Sequence, residues 1–273
     1  MIICGFKCFL LASSLCLMAQ TLLAGNLDIK NGKWKIAFNK HTQTIDYLYQ
    51  ETTLLKETFV QAINASGEVL KSSDYPIATL KRENISDTFG KGKKYTYVYS
   101  GRPGKENLEQ VFYFYPARNY LLTEAYFLSD QRTSCNWIAP VMSNTSSTFL
   151  PADGDNRLLD VPFDNDSFRG YSANPWNTSS VSCEVTAFYD ATSRQGLCLG
   201  SIEHDNWKTG ITYSSSENNC LQSLSVFGGL VDALTNDIRP EKGPAIHKHG
   251  KLYGTRIESP KILVGFFKDW RIG

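Results

Sequence analysis

Trp34-Lys35-Ile36-Ala37-Phe38-Asn39-Lys40-His41-Thr42-Gln43-Thr44-Ile45-Asp46-Tyr47-Leu48-Tyr49 sets the period of this chain. Trp34, Ile36 and Phe38 alternate with lysine and alanine, Asn39-Lys40-His41-Thr42 supplies a turn, and Ile45, Tyr47 and Tyr49 resume the alternation. A period of two sends successive side chains to opposite faces, so the stretch reads as strand, turn and strand with one apolar face.

The pattern continues outward. Tyr95, Tyr97 and Tyr99 repeat it, Gly101-Arg102-Pro103-Gly104 breaks it, and Val111 to Tyr115 is apolar on both faces, as expected of a strand inside a sandwich of large sheets. Asn119 to Asp130 fits helical spacing too, but its neighbours predict a strand. Val185 to Tyr189 and Leu197 to Ile202 flank a polar loop and predict a hairpin. Thr209 to Ser214, Leu221 to Phe227, Lys251 to Glu258 and Lys261 to Phe267 complete the strands, and only Thr52 to Asn64 suggests an amphipathic helix. The predicted class is all-β, a large antiparallel β-sandwich. Thr145 to Pro175 differs: it is rich in Asp, Asn, Gly and Pro but carries Leu158, Leu159, Val161, Phe163, Phe168 and Tyr171, which predicts an ordered loop across a sheet face.

The chain has 273 residues and is 42% hydrophobic, enough for one large core. Its 28 Lys and Arg against 27 Asp and Glu leave no surplus for the phosphates of a nucleic acid, so no nucleic-acid partner is expected. Residues 1–24 read as a signal peptide, with Lys7 ahead of an apolar run from Phe9 to Met18 and Ala24-Gly25 as the cleavage site. Leu15 before Cys16 does not fit a lipid-anchor signal, and no later run is long enough for membrane insertion. The expectation is a secreted or periplasmic chain with one β-domain at 25–273. Cys135, Cys183, Cys198 and Cys220 then remain. Three full pairings are open to them, Cys183 with Cys198 across the hairpin being one contact, and buried free thiols are the alternative.

Two polar constellations stand out. The first is Asp153, Asp155, Asn156, Asp160, Asp164, Asn165 and Asp166. Its spacing does not match a helix-loop-helix calcium site. Asp164, Asn165 and Asp166 could accept hydrogen bonds from sugar hydroxyls with Trp176 or Phe163 stacking on the ring, or the whole set could simply cap turns. The second is Glu203-His204-Asp205-Asn206-Trp207-Lys208, where His204 and Asp205 offer acid–base groups and Trp207 a stacking platform, or else a solvated turn. His247-Lys248-His249 lacks a third ligand, so no metal is expected, and no phosphate loop or nucleophile motif calls for a cofactor.

Leu159-Asp160-Val161-Pro162-Phe163-Asp164-Asn165-Asp166, Ser182-Cys183-Glu184-Val185-Thr186-Ala187, Gly200 to Ile211, and Ser259-Pro260-Lys261-Ile262-Leu263-Val264-Gly265-Phe266-Phe267-Lys268-Asp269-Trp270-Arg271 together resemble the amino-terminal part of secreted α-galactosidase-like glycoside hydrolases (clan D, family 36 and 27 type) of Bacteroides-type bacteria. The resemblance implies a galactose-mutarotase-like β-supersandwich that precedes a catalytic (β/α)₈ barrel, with both catalytic carboxylates on the barrel. It therefore implies no catalytic residue here, a terminal α-linked sugar as the carbohydrate partner, and a missing or separate barrel as the protein partner. Asp164, Asn165, Asp166, Trp176, His204, Asp205 and Trp207 are the expected substrate-binding residues. A free-standing carbohydrate-binding module is the first alternative. The second is an aldose epimerase-like enzyme, in which His204 faces Glu203 or Asp205 across a pocket.

Overall fold

The computed structural model describes residues 27–116, 118–161, 171–176, 178–216, 220–229 and 252–269. The expected signal segment, the Asp164-Asn165-Asp166 loop and the His247-Lys248-His249 stretch lie outside these residues.

In chain order the strands are β1 (Ile29–Asn31), β2 (Trp34–Asn39), β3 (Thr44–Tyr49), β4 (Thr52–Asn64), β5 (Val69–Lys71), β6 (Ile77–Asp87), β7 (Gly90–Ser100), β8 (Asn107–Phe114) and β9 (Tyr120–Ser143). They continue as β10 (Asn156–Asp160), β11 (Ser172–Pro175), β12 (Ser179–Cys183), β13 (Val185–Asp190), β14 (Gly196–Ser201), β15 (Thr209–Ser216), β16 (Cys220–Gly228), β17 (Leu252–Glu258) and β18 (Ile262–Phe267). One 3₁₀ turn, Ser72–Asp74, is the single helical element among the described residues. All strand pairings are antiparallel, so the class is all-β and sandwich-like, as the alternation predicts.

The organising element is β9, which is 24 residues long. Its first part, Tyr120 to Leu128, pairs with β8 on one side and with β18 and then β17 on the other. Its second part, Cys135 to Ser143, pairs with β4 and β16. One run of strands thus reads β11, β10, β13, β14, β18, β9, β8, β7, β6, and a second reads β12, β15, β16, β9, β4, β3, β2, β1. The two runs share β9.

The β2–β3 hairpin forms where its sequence places it, with Trp34 opposite Tyr49 and Phe38 opposite Ile45. Its inner face buries Trp34, Ile36, Phe38, Ile45, Tyr47 and Tyr49. That face packs across to the other run: Phe38 stacks on Tyr97 at 5.2 Å, Tyr47 meets Phe112 edge-on at 5.6 Å, and Tyr49 lies 5.3 Å from Phe266. Such ring pairs add about 1 kcal/mol each beyond the area they bury. Two of the tyrosine hydroxyls at this interface have partners, which offsets the cost of taking them out of water: Gln110 Nε2 donates to Tyr47 and to the Pro140 carbonyl, and Tyr97 donates to the Leu27 carbonyl.

Three expectations need correction. Thr52 to Asn64 is strand β4 and not a helix, because its two halves bury side chains against different neighbours and Glu57 turns through φ +49° between them. The Thr145–Pro175 stretch is not wholly loop, since it contributes β10 and β11, with Leu158 opposite both Asn174 and Phe188. Cys183 and Cys198 do not face each other: Cys198 lies opposite Ala187, Cys183 lies on β12 opposite Gly210, and no disulfide joins any of the four described cysteines.

Candidate functional site

The expected site residues separate in the fold. Trp176 is 2% exposed and packs edge-on against Phe149 and Phe188 while its Nε1 donates to the Arg157 carbonyl. Its ring is core, and a stacking platform requires an open ring face. Asp155 pairs with Arg157 at 2.6 Å, Asp160 accepts from Ser180 of β12 at 2.8 Å, and Asn156 donates to the Pro151 carbonyl, so these members of the acidic constellation fasten β10 to β12 and to the turn that leads into it. Among the described residues no three His, Cys, Asp or Glu side chains are arranged to hold a metal ion.

His204 does face a carboxylate, but the partner is Glu184 and not Glu203 or Asp205. Its Nδ1 lies 3.0 Å from Glu184 Oε2. Glu184 sits at the break between β12 and β13 with φ +66°, a conformation that costs a non-glycine residue on the order of 1 kcal/mol. It is held there by Thr209, whose N–H donates to Oε1 at 3.1 Å and whose carbonyl accepts the Glu184 N–H at 3.0 Å. The pair fastens the loop after β14 to the β12–β13 corner. His204 is 57% exposed and lies outside the cleft described next.

Asp205 and Trp207 line a cleft of about 150 Å³ together with Glu203, Asn206, Glu258, Ser259, Pro260 and Lys261. The corner between β17 and β18 makes one wall. Ser259 builds it: its N–H donates to the Ala125 carbonyl, its Oγ accepts the Ala125 N–H at 2.8 Å, and the same hydroxyl donates to the Pro260 carbonyl. The loop after β14 makes the other wall. Trp207 pins it, donating from Nε1 to the Glu258 carbonyl at 2.7 Å, while the Ile202 N–H donates to the Lys261 carbonyl. Trp207 is 4% exposed, so it forms the floor and offers no open ring face. Gly228 and Gly229 make room for it: a Cβ on either would lie within 2.8 Å of the indole.

Beneath the cleft runs a line of charge. Glu124, on β9 and 2% exposed, accepts hydrogen bonds from the Tyr113 and Tyr126 hydroxyls and lies 3.4 Å from Lys261 Nζ. Lys261 also reaches Glu203 at 2.9 Å. Burial alone would lower the Lys261 pKa, but Glu124 and Glu203 outweigh it and hold the ammonium above the usual lysine range. Burial, reinforced by Glu124, pushes the Tyr113 and Tyr126 hydroxyls up, so both remain donors. Alongside, Arg256 pairs with Glu109 at 2.8 Å and lies 3.6 Å over the Tyr126 ring.

Glu258 stands apart in this group, because its carboxyl makes no hydrogen bond or ion pair among the described residues. Partial burial, then the proximity of Glu124 and Glu203, raises its pKa, with Lys261 and Arg256 opposing. It also lines an adjoining cleft of about 340 Å³ with Tyr126, Leu252, Tyr253, Arg256 and Ile257. Sequence reasoning did not single out Glu124, Arg256, Glu258 or Lys261. One signal was readable: Glu124 is a lone carboxylate within the apolar run Leu121 to Leu128.

No protein-family model matches the sequence, and no curated protein does. Solved structures do match. An α-N-acetylgalactosaminidase from Bifidobacterium bifidum, in complex with GalNAc, superposes with TM-score 0.54 at 11% identity, over 89% of this chain and 36% of that one. A family 36 α-galactosidase from Geobacillus stearothermophilus, in complex with 1-deoxygalactonojirimycin, gives 0.51 at 8% identity, over 89% and 40%. An α-galactosidase from Lactobacillus brevis gives 0.52 at 10%, with the same coverage. The likeness is one of fold. This chain spans well under half the length of each of these neighbours.

Proposed function

We propose that this chain is the non-catalytic β-sandwich part of an exported α-galactosidase-like glycoside hydrolase, working with a (β/α)₈ barrel that supplies the catalytic carboxylates. The observation that carries the reading is the asymmetry of coverage: 89% of this chain superposes on 36–40% of glycosidases whose remaining length has no counterpart here. On this reading the carbohydrate partner is a terminal α-linked galactose or N-acetylgalactosamine. Buried Trp176 and Trp207 weigh against a module that binds sugar by tryptophan stacking. The exposed His204–Glu184 pair, outside the cleft, likewise gives the epimerase reading no support.

The test is hydrolysis of nitrophenyl α-galactoside and α-N-acetylgalactosaminide, first by the chain alone and then with a family 36 barrel supplied in trans or by fusion. No turnover alone, and a stabilised, active barrel in combination, is the expected result. Turnover by the chain alone would refute the reading. Export is checked separately: the amino terminus of the secreted product should be Gly25.

A further inference from the structure

Deepening that reading, we propose that the outer face of β18, β14 and β13 is the surface on which the barrel docks, and that it receives a helix of the barrel's outer ring. The barrel comes from the reading above; the surface comes from the strands themselves. Leu197, Leu199, Phe188, Ile262 and Val264 are fully buried and point into the sandwich. By the period of two, Cys198, Gly200, Val185, Ala187, Leu263 and Gly265 point away from it. A sheet face turned to water carries polar side chains, as β2 and β3 do with Lys35 and Asp46. In β13, β14 and β18 the one charged residue is Asp190, at the very end of β13. Strands apolar on both faces are made to be covered on both, yet Val185, Cys198, Leu263 and Phe267 all remain partly exposed.

The relief of the face selects the kind of cover. Cys198 lies opposite both Gly265 and Ala187, which makes a low floor across three strands. Larger side chains stand on either side of it, Leu263 and Val185 on one and Phe267 and Tyr189 on the other. Leu263 and Phe267 are about 13 Å apart along β18, and a helix with its side chains is about 10 Å across. A helix ridge fills such a floor, whereas a second flat sheet would leave it without contacts.

The surroundings fit a lasting contact. Charge is confined to the margins, with Arg157 opposite Tyr189 at one and the Glu124–Lys261–Glu203 line beyond Leu263 at the other. An apolar centre inside a polar rim is the anatomy of a permanent interface. In the glycosidases that share this fold the matched part is 36–40% of one longer chain, so its neighbour there is always present.

Cys198, half-buried at the centre of the face, is the probe. Burial raises the pKa of its thiol, so the full chain is treated with methyl methanethiosulfonate at mildly alkaline pH, alone and with a family 36 barrel, and mass spectrometry locates the label. Cys198 should react in the chain alone and be protected about tenfold in the complex. Val185→Lys and Leu263→Lys should each weaken the complex about tenfold, and Leu48→Lys, on the outer face of β3, should leave it unchanged. Where a lysine variant does not fold, the labelling of Cys198 decides alone. A thiol already unreactive in the chain alone, or a complex in which Cys198 still reacts, overturns the docking face and leaves the barrel reading standing. Absence of any complex refutes the barrel reading, and the face with it.

Discussion

Lys261 is the residue on which the charge line depends. It is the cation for a carboxylate, Glu124, that the fold has removed from water, and removing one partner of such a pair leaves an uncompensated buried charge. Lys261→Met should cost about 2 kcal/mol, moderated by the two tyrosine hydroxyls that still donate to Glu124, and adding Glu124→Gln should restore part of it. Urea midpoints at constant slope measure both effects. Glu258 behaves in the opposite sense. Its folded-state pKa is raised, so its contribution to stability is present below the unfolded value of about 4.3 and is lost as pH rises through the folded one. Glu258→Gln should therefore raise the melting temperature slightly, about 1 °C, at pH 7, and the gain should vanish below pH 4. A gain that persists at acid pH would mean that packing, not charge, is responsible.

At the scale of elements, what the sequence made legible was set by periodicity. β2, β3, β7, β8, β13 to β16 and β18 each bury one face or both, and their alternation or apolar runs announce them. β4 hid because it serves two neighbours with a left-handed residue between, which destroys a period of two and leaves spacings that mimic a helix. β6 went unread because it buries almost nothing: it pairs only with β7 among the described strands and its side chains are mostly exposed. The site was the least legible, since a buried pair such as Glu124 with Lys261 exists only once β18 lies beside β9. β6 also shows why an edge carries charge. Lys81 and Glu83 sit midway along this 11-residue strand, which pairs on one side alone among the described strands, and there they oppose pairing with a second chain. Replacing Lys81 and Glu83 by valine should leave the monomer folded but drive concentration-dependent self-association, read by light scattering; an unchanged monomer would show that the edge is protected by something else.

For the whole molecule, the decisive fact is how far apart in sequence the paired strands lie. β9 binds β4, β8, β16, β17 and β18, and Ser259 is tied to Ala125 across 134 positions. Long loops must close before such contacts stabilise anything, so refolding from urea should be slow, on the order of seconds or longer, and should lack a dominant sub-millisecond phase. Stopped-flow tyrosine and tryptophan fluorescence tests this directly. The balanced charge, 28 basic against 27 acidic residues, adds that self-repulsion does little to keep unfolded chains apart near neutral pH.

The length of β9 has a last consequence, for synthesis on the ribosome. Once residues 120–143 have emerged, β8 and β4 are already available to pair along one side. The strands that cover the other side are β16, β17 and β18, and the last of these ends at Phe267. A ribosome adding roughly 5–20 residues per second leaves that side open for several seconds in every newly made chain. During that interval the nascent chain displays an apolar template that a holding chaperone can cover.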